Sequence, residues 1–235
     1  MKSRHLRVTL SVCLTALITV LSACKQPAES TAPQAAQPAA SQPVAKPAPP
    51  AKPELPPLFR DIERRTFQFF WDTTNEVNGL TPDRYPSRPF SSIASVGFAL
   101  TAYPIGIENN WVSRNQAVDR TLLTLKFFRD MPQGPQRTGK GAYKGFYYHF
   151  LDMQKGERYN SWVELSSVDT SLLMMGALFA QSYYDRDEPR EKEIRDIAEE
   201  LYRRVDWNWL QQDQPLVALC WQAERGYTKQ SVMRI

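Results

Sequence analysis

From residue 58 onward the chain alternates between two kinds of apolar pattern, and that alternation limits what it can build. Three segments carry one apolar face at helical spacing. They are LFRDIERRTFQFFWDTTNE with Leu58, Ile62, Phe69 and Phe70, SRNQAVDRTLLTLKFFRD with Val118, Leu122 and Leu125, and the run after Pro189 with Ile194, Ile197, Leu201 and Val205. Between them lie SSIASVGFALTAYPIGIE and the LLMMGALFA run of residues 166–184, which are apolar or small nearly all round and so need protein on every side. Asn78 to Leu80 stop the first helix, Pro104 is expected to kink or end the second, and Ser113 with Gln116 forms a capping box for the third. No strand pattern intervenes. One-faced helices meeting solvent and small-rich helices enclosed by neighbours are what the outer and inner rings of an α/α toroid require, although another layered helical domain could show the same pattern.

The N-terminal quarter has a different character. Residues 1–24 combine Lys2, Arg4 and Arg7 with an apolar run from Val8 to Leu21 and small residues before Cys24, which reads as an export signal. The end, Leu21-Ser22-Ala23-Cys24, resembles a bacterial lipoprotein cleavage box, so Cys24 is the expected lipidation site and an N-terminal lipid anchor the expected membrane contact. Lys25 in place of Asp directs the expectation to the outer membrane. Residues 25–57 hold ten of the eighteen prolines and nine alanines, the composition of an extended tether. The folded domain is expected over residues 58–235.

Removing the signal leaves 26 basic residues against 25 acidic ones, a near-neutral balance that argues against a nucleic-acid partner. It suits a neutral ligand. Cys220 and His149 are then the only cysteine and histidine besides Cys24. They give no zinc spacing, no intramolecular disulfide and no Gly-x-Ser-x-Gly elbow. Carboxylates are left to carry any hydrolytic chemistry, with no metal and no cofactor expected.

The segment beginning at Gly141, GAYKGFYYHFLDMQKGERYNSWVELSSVDT, sets seven aromatic rings among Asp152, Glu157, Glu164 and Asp169. Flat rings stack on the C–H faces of sugars, acids bind the hydroxyl rim, and a positioned carboxyl pair cleaves the glycosidic bond. Rings are equally good core filler.

Taken in order, Phe67 to Trp71, NGLTPDRYP, SIASVGFALTAYPIGIE, KGFYYHFLDM, ELSSVDTSLLMMGAL and Trp207-Asn208-Trp209 resemble the bacterial glucoamylase-like family, which includes glycoside hydrolase family 144, the β-1,2-glucanases. The resemblance covers residues 58 to 228. It implies an all-α, (α/α)6 toroid, of which about the N-terminal half is present, a central carbohydrate cleft, and inverting hydrolysis of β-1,2-glucan without cofactor. Trp221 to Tyr227 resembles the family's Trp-x-Pro-Glu-x-Gly-aromatic motif with Ala223 in place of proline, and SVMRI then leaves the pattern, as in a truncated copy. An inactive remnant, a carbohydrate-binding lipoprotein and a β-1,2-glucan transglycosylase are the alternative readings.

By that resemblance Glu224 is expected as general acid, in a tryptophan-rich loop that would desolvate it and raise its pKa. Asp152 is the leading base candidate, or else it merely opens the turn at MQKGE. Glu164 and Asp169 flank the entry to a buried helix, where Asp169 or Ser166 could equally be a cap. Asp83 and Arg84 are read as sugar contacts or as a turn ion pair. Trp71, Lys144, Tyr148 and His149 complete the expected substrate-binding set.

Overall fold

The computed structural model describes residues 55–212 and 215–227. The chain divides into two units, Met1–Lys52 and Pro53–Ile235. The export signal, Cys24 and nearly all of the tether lie outside the described residues. Among the described residues of the second unit there are five long helices, α1 (Pro57–Thr73), α2 (Ile93–Glu108), α3 (Arg114–Asp130), α4 (Ser167–Tyr183) and α5 (Pro189–Arg204), followed by the short α6 (Trp207–Gln211). The most extensive helix packing is that of α2 on α4, followed by α4 on α5, α3 on α5 and α1 on α2. The small-rich helices are thus neighbours in an inner layer with the one-faced helices outside them, but they are not covered on every side as expected: Phe98 and Ile105 of α2 and Val168, Met175 and Phe179 of α4 are exposed.

Glycine makes the inner contact close. A Cβ on Gly97 of α2 would collide with the Leu172 carbonyl of α4, and a Cβ on Gly176 of α4 would collide with the Gly97 carbonyl. Around this crossing Leu100, Tyr103, Leu173, Met174 and Ala177 are buried, each large side chain contributing about 1.5–3 kcal/mol of apolar burial. The outer pair α3 and α5 is joined by charge. The Arg114 guanidinium donates through Nε and Nη2 to the two oxygens of the buried Glu191 at 2.6 and 2.8 Å, beneath the rings of Tyr183 and Tyr184. The Ser113–Gln116 capping box is formed in both directions.

Three further expectations change. Of the two outcomes expected at Pro104, ending the helix does not occur: α2 continues to Glu108. The buried face of α1 is Phe67, backed by Phe70 and Trp71, whereas Leu58 and Ile62 are exposed. Strands do occur, as β1 (Ser91–Ser92), β2 (Ala142–Tyr143), β3 (Phe146–Tyr147), β4 (Phe150–Leu151), β5 (Leu165–Ser166), β6 (Cys220–Gln222) and β7 (Gly226–Tyr227). All are two or three residues long. At that length they carry no alternating pattern to be read. They form antiparallel pairs β1–β4 and β2–β3 and the sheet β5–β6–β7. The signal for β2–β3 lies in its turn, where Lys144 and Gly145 both take positive φ, 57° and 81°, as a two-residue type I′ hairpin requires.

Candidate active site

The short strands gather the site at the start of the two inner helices. β1 leads into α2 and β5 into α4, and the segment around His149 runs between them: its carbonyl accepts from Ile93 N at 3.1 Å and its N–H donates to the Glu164 carbonyl at 2.9 Å. These bonds place the His149 side chain between two carboxylates. Nδ1 lies 2.8 Å from Glu164 Oε1 and Nε2 lies 3.4 Å from Asp169 Oδ1. Asp169 is in turn held by Ser166, the N-cap of α4, whose Oγ donates to Oδ2 and accepts from the Asp169 N–H at 3.1 Å. The capping expectation is met by Ser166, and the same contact holds the Asp169 carboxylate beside His149.

The electrostatics follow from this geometry. Burial opposes the His149 imidazolium, but the hydrogen bond to Glu164 and the charges of Asp169, Glu164 and Asp83 outweigh it, so its pKa lies above the ordinary histidine value. Burial likewise opposes the Glu164 carboxylate, while His149, its own backbone N–H and Arg158 bring the net shift below the usual glutamate range. The two carboxylates hold opposite nitrogens of one ring, so the three side chains cannot converge on a single ion, and no other metal-binding group occurs among the described residues.

An aromatic shelf adjoins the cluster. The Phe150 ring stacks on His149 at 3.8 Å and meets Phe90 at 4.3 Å and Trp162 at 5.7 Å. Tyr159 closes the group against Phe90 and Trp162. Trp162 is 53% exposed, leaving an apolar face open to a ligand beside the carboxylates. Asp83 joins from the neighbouring strand edge, its N–H bonded to the Phe90 carbonyl and its carboxylate 2.7 Å from Arg84. The turn ion pair expected of Asp83 and Arg84 is formed.

Glu224 stands at the tip of the β6–β7 hairpin. Trp221 and Tyr227 anchor the hairpin on Trp209, Gly226 takes φ 69° to close it, and the Tyr227 hydroxyl donates to the Trp209 carbonyl at 2.8 Å. This accounts for the spacing Trp-x-x-Glu-x-Gly-aromatic. The tryptophans hold the hairpin and do not control the acid's ionisation. Arg158 does that, donating to both Glu224 oxygens at 2.8 and 3.0 Å and depressing the pKa against a smaller desolvation effect. The expected upward shift is therefore reversed.

Four expected site residues are engaged elsewhere. The Asp152 carboxylate accepts from the N–H groups of Gln154 and Lys155 at 2.9 and 2.8 Å, capping its own turn. Lys144 pairs with Asp206 at 3.4 Å at the head of α6. Trp71 packs between Phe67, Tyr103 and the Arg120 guanidinium, which lies 3.9 Å from its ring. Tyr148 is fully buried and cannot present its ring to a sugar. Arg158, Trp162, Tyr159, Phe150 and Phe90 were missing from the expected set. All but Phe90 lie in the aromatic and acidic segment beginning at Gly141, the one signal that pointed to them.

The class so defined is an α/α-toroid fold of inner and outer helices with acids and open aromatic rings gathered at the inner helix starts. Comparison with known proteins places it further. The chain is 25% identical over 173 residues to the exo β-1,2-glucooligosaccharide sophorohydrolase of Parabacteroides distasonis, covering 71% of this chain and 23% of that protein. Among solved structures it is similar to a glucoamylase-like protein of Bacteroides uniformis (TM-score 0.66, 25% identity), covering 77% of this chain and 44% of that one. The β-1,2-glucanase of Parabacteroides distasonis (TM-score 0.64, 23% identity, 74% and 25% covered) and the endo-β-1,2-glucanase of Chitinophaga pinensis (TM-score 0.63, 21% identity, 75% and 43% covered) share the fold. No protein-family model matches the chain. The resemblance to glucoamylase-like proteins and β-1,2-glucanases thus holds in sequence and in fold, over less than half the length of these relatives.

Proposed function

We propose that this chain serves as a glycoside hydrolase on β-glucan, with β-1,2-glucan as substrate, through an inverting mechanism that uses two carboxyl groups. The observation that carries the reading is the His149–Glu164–Asp169 cluster beside the open Trp162 face. The named activity of the Parabacteroides relative supports the linkage. A glucose ring stacked on the shelf would bring its hydroxyls to Glu164, Asp169 and Asp83. Glu224, held ionised by Arg158, suits the carboxylate that orients water or accepts a sugar hydroxyl, and a group of the His149 cluster suits the proton donor. We further propose that Cys24 carries a lipid that tethers the domain to the outer membrane, on the strength of the export signal and cleavage box.

Incubating the purified protein with linear β-1,2-glucan tests the hydrolase reading. Release of oligosaccharides with inverted anomeric configuration is expected. Cyclic or transferred products would indicate a transglycosylase, and binding without turnover a carbohydrate-binding protein. Labelling with radioactive palmitate in a bacterial host, lost on Cys24→Ser, tests the anchor.

A further inference from the structure

Arg158 is a cation with no place in the expected site, and its surroundings are too specific for a solvated charge. Its side chain is 1% exposed. Nε donates to the Val163 carbonyl at 2.7 Å, and Nη2 donates both to the Ser161 carbonyl at 2.8 Å and to Glu224 Oε2 at 3.0 Å. Nη1 donates to Glu224 Oε1 at 2.8 Å. Its guanidinium carbon lies 4.8 Å from the centre of the Tyr148 ring. Burying a guanidinium is costly unless its donors are satisfied and its charge is paired, and here both conditions are met by groups from separate parts of the fold. Ser161 and Val163 flank Trp162, so two of these bonds fix the loop that presents the aromatic shelf. The other two fix Glu224. A further bond from Gln222 Nε2 to the Trp162 carbonyl at 3.2 Å ties the Glu224 hairpin to the same loop.

Resting on the hydrolase reading, we propose that Arg158 is a positioning residue that couples the two halves of the cleft: one buried guanidinium sets both the orientation of Trp162 toward the sugar and the aim of Glu224. A planar fork is needed for this. Lysine would supply the charge through a single ammonium and could not hold two carbonyls and both carboxylate oxygens together. The depressed pKa of Glu224 accompanies the same contacts.

The test is Arg158→Lys, compared with wild type by three measurements. Carboxyl 13C titration with labelled glutamate, assigned through Glu224→Gln, reads the Glu224 pKa. The 19F line of 5-fluorotryptophan at position 162 reads the shelf. Affinity and kcat/KM on β-1,2-linked glucooligosaccharides read the coupled function. Arg158→Lys is expected to move the Glu224 titration upward, to shift or broaden the Trp162 line, to weaken oligosaccharide binding about tenfold, which is about 1.4 kcal/mol, and to move the acidic limb of kcat/KM to higher pH. An unchanged Trp162 line, or an unchanged Glu224 titration, overturns the coupling. If Arg158→Lys does not fold, Glu224→Gln decides: it removes the charge that the Arg158 fork holds, so a shifted or broadened Trp162 line upholds the coupling and an unchanged line overturns it. A wild-type protein that neither binds nor cleaves the glucan sinks the hydrolase reading alone, because both resonance measurements still judge Arg158.

Discussion

Gly97 and Gly176 face each other across the α2–α4 crossing so closely that neither position has room for a methyl group. The inner helices bring their first turns, and with them the site, to a fixed separation through this contact. Gly176→Ala should force the helices apart and cost about 1–3 kcal/mol through overpacking. Thermal melting checks the cost, and a melting temperature equal to wild type would show that the contact is slack.

His149→Ala removes the group that Glu164 and Asp169 share. Hydrolysis of β-1,2-glucan should fall by roughly a hundredfold or more, the usual scale for a proton-transfer partner, with the circular dichroism spectrum retained. Wild-type kcat/KM in the variant would exclude the cluster from the chemistry.

The pKa shifts set a window of stability. The raised His149 pKa contributes stability below roughly pH 6.5 that is lost as pH rises through the folded value. The lowered pKa values of Glu164 and Glu224 contribute stability above roughly pH 4.3 that is lost as pH falls through theirs. The melting temperature should therefore peak between these limits as far as these groups are concerned. In His149→Gln the decline on the alkaline side should flatten, and a profile identical to wild type would count against the imidazolium pairing.

Trp162→Ala should separate binding from folding. Its ring is about half exposed, with its other half against Phe90, Phe150 and Tyr159, so melting should change less than for a core tryptophan while affinity for a β-1,2-linked glucooligosaccharide weakens about tenfold. Isothermal calorimetry decides, and undiminished affinity would remove the shelf from the binding site.

Trp71→Ala should do the opposite. Sandwiched by Phe67, Tyr103 and Arg120, Trp71 contributes packing, and its loss should cost about 2 kcal/mol of stability with oligosaccharide affinity intact. Loss of affinity without loss of stability would restore it as a sugar contact.

The order of the helices, the Ser113–Gln116 box and the contrast between small-rich and one-faced helices were legible in residues 58–205, because apolar period and capping act over a few neighbouring positions, whereas the enclosure expected of the small-rich helices depends on neighbours beyond them, and Phe98 of α2 and Met175 of α4 stand exposed. The aromatic and acidic segment pointed to the candidate site for the same reason. Which acids meet was decided by tertiary structure. Glu164 and Asp169 reach opposite nitrogens of His149 from 15 and 20 residues away, and Glu224 meets Arg158 across 66 residues. Asp152, only three residues from His149, turns away to cap its own loop. Ionisation depends on charges and donors within a few ångströms, and distance along the chain does not encode that separation. Packing of α2 on α4 and closure of the short hairpins supply it.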